Sequence, residues 1–463
     1  MWKNAWIVAL SLIGLCVGAG FATGQELLQF FVSFGFKGLW GVGLAMLVMI
    51  ISSIAIMQLG SYLQAREHTA VFNRIATPWL ARFLDGMTMF TLFCMGFIMI
   101  AGAGSNLNQQ FGWPTWVGSL ALVALLAVMG MLDIDKVSRV IGGITPIIFV
   151  LIVVAAVYTF ATADWDLQAL EPHATSVDNP LGAPTWWLAA INYVGLNLMA
   201  GAAMVVVITG TNLDTRSAGL GGVLAGIIFT ILLAVATLTL FLNVAEVKDD
   251  DVPMLSVLTN IHPTMGLFMA IVSFLMIFNT AVGDFYALGK RLTRRHTDRF
   301  RITYLISLVI AFGFSFFPFD RLVNVMFPIL GYLGLIMLLT FIVGWLRGRP
   351  VITTEASRRR RIYQLVTKRL DPREQYTRRD RAELQRATRK SNIANRKLIV
   401  SMVHEVEEAL SNDSDLDYEP IFDDIDDFSD YIDKRGRETA SSEEQFRAPE
   451  ETDAGQSQGS AKE

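Results

Sequence analysis

Chemistry in this chain is to be sought where its long apolar stretches are interrupted. The first stretch carries Gly14, Gly18, Gly20 and Gly24 among Cys16, Val17, Ala19 and Thr23, and ends on Gln25 and Glu26. Another carries Gly195 and Gly201 on either side of Asn197, with Tyr193 just before them. A helix interrupted by glycine leaves backbone carbonyls and amides without their usual partners. In hydrocarbon such groups are tolerated only where protein or a water-lined cavity satisfies them. Freed carbonyls coordinate a cation, and the N-terminus of a half-helix attracts an anionic group. Glycine clusters also serve close helix packing, so either interruption alone has that second reading. Two of them, opening what read as two equivalent halves, point to a solute site.

Two acids lie inside apolar runs, Glu26 and Asp284. A charge there costs about a few kcal/mol and usually marks an ion or solute pathway. Glu26 follows the first interruption by roughly one to two helical turns. It suits an outer gate, a partner for a solute amine or a proton carrier; its plainer role is to hydrogen-bond the broken helix. Asp284 reads as half of an inner-gate ion pair with a Lys or Arg, or as a ligand of a coupling ion. Asp85, beside Arg82 at a span end, reads as interfacial. No basic residue between Ile141 and Tyr158 stands in for a cation.

Enzyme chemistry is not indicated. The spans lack His-Glu-x-x-His and Gly-x-Ser-x-Gly patterns, and His68, His173 and His262 fall in loops. Cys16 and Cys94 both sit in apolar runs, which predicts buried thiols and neither a disulfide framework nor a metal site.

The elements that position these groups follow from hydropathy. Of 463 residues, 53% are hydrophobic and 17% charged, richer in apolar residues than an ordinary soluble domain. A span needs ~20 mainly apolar residues. Ten runs qualify, near 5–32, 38–63, 83–107, 114–131, 138–161, 184–208, 218–243, 263–288, 302–318 and 322–346. The first lacks a cleavage signature and reads as a retained helix. Met254 to Ile261 reads as a short outer interfacial helix. Placing the N-terminus inside puts Arg66, Arg74, Arg82, Lys136, Arg139, Arg216, Lys290, Arg291, Arg294, Arg295, Arg299 and Arg301 in cytoplasmic loops, and leaves Lys37, Lys248 and Arg321 outside. Five crossings in each half give the halves opposite orientations. The expected fold is therefore an all-α membrane protein: ten transmembrane helices in a 5+5 inverted repeat, with helices one and six broken. The core is 1–346, with repeats 1–162 and 184–346.

The run Gly18-Ala-Gly20-Phe-Ala-Thr23-Gly24-Gln25-Glu26 resembles that of the bacterial YkvI-type membrane proteins, and the ten spans resemble the leucine-transporter fold of the amino acid, polyamine and organocation transporter superfamily. In sodium-coupled members of that fold the break in helix one has a Gly-x-x-Val-Gly-x-Gly pattern, matched here by Gly14, Val17, Gly18 and Gly20. The resemblance implies a sodium site at the carbonyls of Gly14 and Val17, and a substrate site along Gly18, Ala19 and Gly20. It implies substrate contacts at Tyr193 and Asn197 near the second break. From helix eight it implies sodium ligands at Met276, Asn279 and Thr280. Asn279 departs from the family's hydroxyl residue, although an amide oxygen can also bind a hard cation.

Beyond residue 346 the composition changes. From Arg347 to Val400 there are 17 Lys or Arg against 5 acids, and from Ser401 onward 20 acids against 5 basic residues, so the two blocks can attract one another. Helical periodicity is expected at 362–370 and 382–410. The segment 347–410 is a basic, partly helical cytoplasmic region, and 411–463 an acidic disordered tail. The basic block suits anionic lipid; nucleic-acid binding is not expected. The whole reads as a secondary active transporter of a small solute, an amino acid or related compound, working by alternating access in the plasma membrane with coupling to sodium or protons, both termini cytoplasmic, and no cofactor beyond a sodium ion. The rival reading is a sensor or scaffold with a transporter-like core that signals through its tail.

Overall fold

The computed structural model describes residues 2–65, 68–131, 145–163, 165–180, 182–294, 296–393, 395–413, 416 and 418. Regular structure among them is helical. The first apolar run forms three pieces, α1 (Trp2–Cys16), α2 (Ala19–Thr23) and α3 (Gln25–Phe30). There follow α4 (Phe36–Leu63), α5 (His68–Ile75), α6 (Pro78–Phe111), α7 (Thr115–Met129) and α8 (Thr145–Thr162). After α9 (Leu167–Ala174) come α10 (Trp186–Gly210), α11 (Thr215–Leu242), α12 (Val244–Val247), α13 (Pro253–Ile261), α14 (Pro263–Leu292) and α15 (Phe300–Phe314). The chain continues as α16 (Phe319–Leu370), α17 (Arg378–Arg389) and α18 (Asn395–Ser411).

Five helices, α4, α6, α11, α14 and α16, are long and apolar enough to cross a membrane. In α10, Trp186–Met199 and Met204–Gly210 meet at 59°, and the two together would make a further span. Asn4–Cys16, α7, Pro146–Thr162 and α15 are shorter apolar helices. Leu47, Ile51, Val153, Ile231, Val309 and Leu339 are all exposed on these helices. So much outward apolar surface suits lipid and not water, and the chain is a membrane protein.

The helices pack in two groups. One joins α1, α4, α10 and α11; the other joins α6, α7, α14 and α15. Small residues explain the closeness. A Cβ built on Gly222 of α11 would lie 2.8 Å from Ile54 N, and one on Gly226 2.6 Å from Ile50 Cγ1, so α4 and α11 meet backbone to backbone. In the second group a Cβ on Gly118 would lie 2.8 Å from Ala103 O. Each group takes helices from both halves of the sequence. The short α2 packs on α14, so the first interruption sits where the two groups meet.

The chain divides into two compact units, Met1–Thr353 and Thr354–Glu463, and the division falls inside α16. In the second unit Glu355 and Arg359 are both buried. Glu355 receives the Ser391 hydroxyl at 2.5 Å and the Arg359 Nε at 3.2 Å, and also pairs with Arg358. Arg359 reaches on to Asn392 Oδ1 at 2.8 Å. Arg361 grips Glu383, Lys368 holds Asp380, and Arg373 bridges Asp371 and Asp413. Arg358, Arg359, Arg361, Lys368 and Arg373 of the basic block are thus paired with acids of their own unit. The single helix expected over 382–410 is two, α17 and α18, separated by a turn around Ser391–Ile393. Most of the segment expected to be disordered, 419–463, lies outside the described residues, as do Arg66, Lys136, Arg139 and Arg295.

Candidate functional site

The last turn of α1 closes with Val17 N donating to Ile13 O at 2.8 Å. Gly18 then takes an extended conformation, φ −96 and ψ −164, and helical bonding resumes only with Ala22 N to Gly18 O at 3.1 Å. Among the described residues no backbone N–H reaches the carbonyls of Gly14, Leu15, Cys16 or Val17. These four form the C-terminal, electron-rich end of a helix of 15 residues.

The piece beyond Gly18 is shorter than a half-helix. Gly24 adopts φ 82 and returns its N–H to Gly20 O at 3.2 Å, while the Thr23 hydroxyl donates to the same carbonyl at 2.9 Å. Glycine is needed at 24 twice over: the left-handed backbone favours it, and a Cβ would meet Leu240 Cδ1 at 3.2 Å and Met254 N at 3.3 Å. The helix α2 therefore has only 5 residues. Few peptide dipoles add over that length, so its amide end is a poor anion receptor.

Glu26, in the first turn of α3, folds back over α2. A Cβ at Gly20 would lie 3.0 Å from Glu26 Cδ and collide with Oε2. The Tyr193 hydroxyl of α10 donates to Glu26 Oε1 at 3.2 Å. Its ring is fully buried, edge-on to Phe31 at 5.0 Å and tilted against Phe30 at 5.8 Å. Asn197 donates to Tyr193 O at 3.1 Å, inside its own helix. No Lys, Arg or His among the described residues pairs with Glu26.

The α14 residues lie on the other side. A Cβ on Gly18 would stand 3.8 Å from Thr280 Oγ1, so the interruption and Thr280 are neighbours. The Thr280 hydroxyl donates to Met276 O at 3.1 Å, and Asn279 is half-buried. Asp284, four residues beyond Thr280, is buried with its Oδ2 unbonded among the described residues. Among the described residues Asp284 makes no ion pair, while Asp85 binds Arg291 across α6 and α14. Local sequence had placed Asp85 beside Arg82. Nothing in local sequence could have linked it to a residue on a distant helix.

Of the α10 glycines singled out in the sequence, Gly201 lies within the bend between Met199 and Met204, whereas Gly195 has a different use. A Cβ on Gly195 would collide with Gly331 O and lie 3.0 Å from Leu335 Cγ, and one on Gly334 would lie 3.0 Å from Gly195 Cα. Gly195 is thus a packing contact between α10 and α16, and the bend falls later, between Met199 and Met204. Asn192, which sequence reasoning passed over, secures the same interface by donating to Pro328 O at 3.0 Å. The structure therefore gathers Gly18, Gly20, Glu26, Tyr193 and Thr280 about one interruption. It offers carbonyl oxygens, hydroxyls and a carboxylate, a donor set for cations.

No family model matches the chain. It is similar to the uncharacterized protein YyaD of Bacillus subtilis (strain 168), 27% identical over 344 residues that cover 74% of this chain and 97% of that one. It is also similar to the uncharacterized membrane protein YkvI of the same organism, 24% identical over 330 residues, 71% of this chain and 92% of the other. The resemblance read from the first span thus extends along most of the chain. Among solved structures, MhsT in complex with L-phenylalanine aligns with a TM-score of 0.49 and 14% identity, covering 86% of this chain and 95% of that one.

Proposed function

We propose that the chain is a secondary active transporter that moves a small solute, an amine or amino acid, across the plasma membrane by alternating access. The five long helices, the bent α10 and the four shorter apolar helices supply ten crossings in two inverted five-span units, with α1–α3 and α10 as the broken members. The carrying observation is the interruption at Val17–Gly18, where carbonyls without backbone partners among the described residues are followed by Gly18, a neighbour of Thr280, and by Gly20, under the buried Glu26–Tyr193 pair. Its position between two helix groups, each drawn from both halves, supports a site around which one group moves against the other. Sodium or a proton supplies the coupling, with the Gly14 and Val17 carbonyls, Met276, Asn279 and Thr280 as the sodium candidates.

Solute counterflow in proteoliposomes of the purified chain tests this reading. Labelled amines and amino acids are offered outside vesicles preloaded with the same unlabelled solute, and at least one should accumulate transiently above protein-free vesicles. Counterflow of none would sink the proposal. Deleting 354–463 should leave that counterflow intact, whereas the sensor reading would place the output in the deleted unit.

A further inference from the structure

We infer that the transported solute is an organic amine that presents a primary ammonium to Glu26 and brings no carboxylate of its own. This rests on the interruption being the solute site, and it narrows the amine or amino acid of that reading to the first.

Charge gives the first reason. Glu26 is 5% exposed, and its one side-chain hydrogen bond among the described residues comes from a neutral donor, the Tyr193 hydroxyl. A carboxylate so buried is stable only when neutralised or paired. The protein supplies no positive side chain for it: the sequence has no Lys, Arg or His from Asn4 to Phe36, from Trp186 to Gly210, or from Pro263 to Gly289. The same holds from Ser217 to Val247 and from Pro253 to Ile261, the stretches that bring Phe229 against Phe21 and Leu240 and Met254 against Gly24. The remaining groups are also electron-rich, namely the carbonyls from Gly14 to Val17 and the Thr280 hydroxyl, with the buried Asp284 one turn further along α14. With the coupling sodium assigned to the Gly14 and Val17 carbonyls and Thr280, the positive charge at Glu26 itself is left for the solute to bring.

Shape gives the second reason. Glu26 lies over Gly20, in space that exists because residue 20 has no Cβ. A solute carboxylate approaching α2 would meet Glu26 already there, two like charges in a low-dielectric site. The 5-residue α2 has little dipole to offset that repulsion. A zwitterionic amino acid would satisfy Glu26 at one end and be repelled at the other, whereas an alkylammonium is only attracted.

The test uses the purified full chain with n-butylamine, propionate and L-leucine as probes, reading thermal unfolding midpoints. Butylamine should raise the midpoint saturably and propionate should not. Glu26→Gln, which keeps the size of the side chain and an acceptor for Tyr193, should weaken the apparent butylamine affinity at least tenfold. Unchanged butylamine affinity in Glu26→Gln overturns the inference, as does stronger stabilisation of the wild type by propionate or leucine. Should Glu26→Gln fail to fold, wild-type counterflow decides: butylamine should exchange and propionate should not. Counterflow of leucine or propionate without butylamine would end this inference and leave transport standing, while counterflow of no solute at all would end both.

Discussion

The Tyr193 hydroxyl reaches Glu26 Oε1 at 3.2 Å across 167 positions of sequence, tying α10 to the segment after the first interruption. One element of each half of the chain thereby contributes to a single buried polar contact. A hydrogen bond of this kind contributes about 0.5–1.5 kcal/mol, and about 1.5–3 kcal/mol when its acceptor is ionised. Tyr193→Phe keeps the ring packing against Phe30 and Phe31 and removes only the donor. Its unfolding midpoint should fall and its butylamine affinity should drop; a midpoint equal to wild type would mean that the bond contributes nothing.

The glycines of the interruption should respond unequally. Gly18→Ala puts a methyl 3.8 Å from Thr280 Oγ1, an ordinary contact at a permitted φ, and should change stability by no more than about 1 kcal/mol. Gly20→Ala drives a methyl into the Glu26 carboxyl and should abolish the amine-dependent stabilisation. Comparing midpoint shifts with and without butylamine checks the contrast, and equal behaviour of the two variants would contradict it.

Gly195→Ala and Gly334→Ala probe the contact between α10 and α16. Each added methyl meets backbone of the facing helix, so the helices must separate, and overpacking of this kind costs roughly 1–3 kcal/mol. Both variants should lower the midpoint by comparable amounts, and the double variant by less than the sum, because the first forces the same separation as the second.

Thr280→Val keeps the volume and removes the hydroxyl beside Gly18. With sodium as the coupling ion, the wild type should be more stable in sodium than in potassium, and the variant should lose that difference. A sodium effect that persists in Thr280→Val would exclude the hydroxyl as a ligand.

The C-terminal unit should be acid-sensitive. Burial pushes the Glu355 carboxyl up, but the Ser391 hydroxyl, Arg359 and Arg358 outweigh it and hold it below the usual glutamate range. Asp380 is likewise held down, first by Lys368, and Asp371 by Arg373. A carboxylate depressed in the folded state contributes stability that is present above its unfolded pKa, about 4 for such groups, and is lost as pH falls through the folded value. Amide protection across 355–411, measured by hydrogen exchange in the full chain, should therefore decline below about pH 4. Arg359→Met leaves Glu355 buried with less compensation, and breaking a buried pair in this way costs roughly 3–5 kcal/mol, so protection should fall at neutral pH as well.

The sequence by itself determined the membrane character, the place of the first interruption and the presence of an acid, Glu26, just beyond it. Each is local: apolar length sets a span, glycine spacing sets a break, and one acid in an apolar run is conspicuous. The change of composition near residue 346 is local in the same way, while the compact units divide at Thr353. Tertiary structure alone decided which groups face one another. It gave Tyr193 to Glu26, Arg291 to Asp85 and Gly195 to α16, because partners on distant helices leave no mark on local periodicity. It also cut the expected half-helix after Gly18 to 5 residues, because Gly24 turns left-handed against Met254 and Leu240, residues more than 200 positions away.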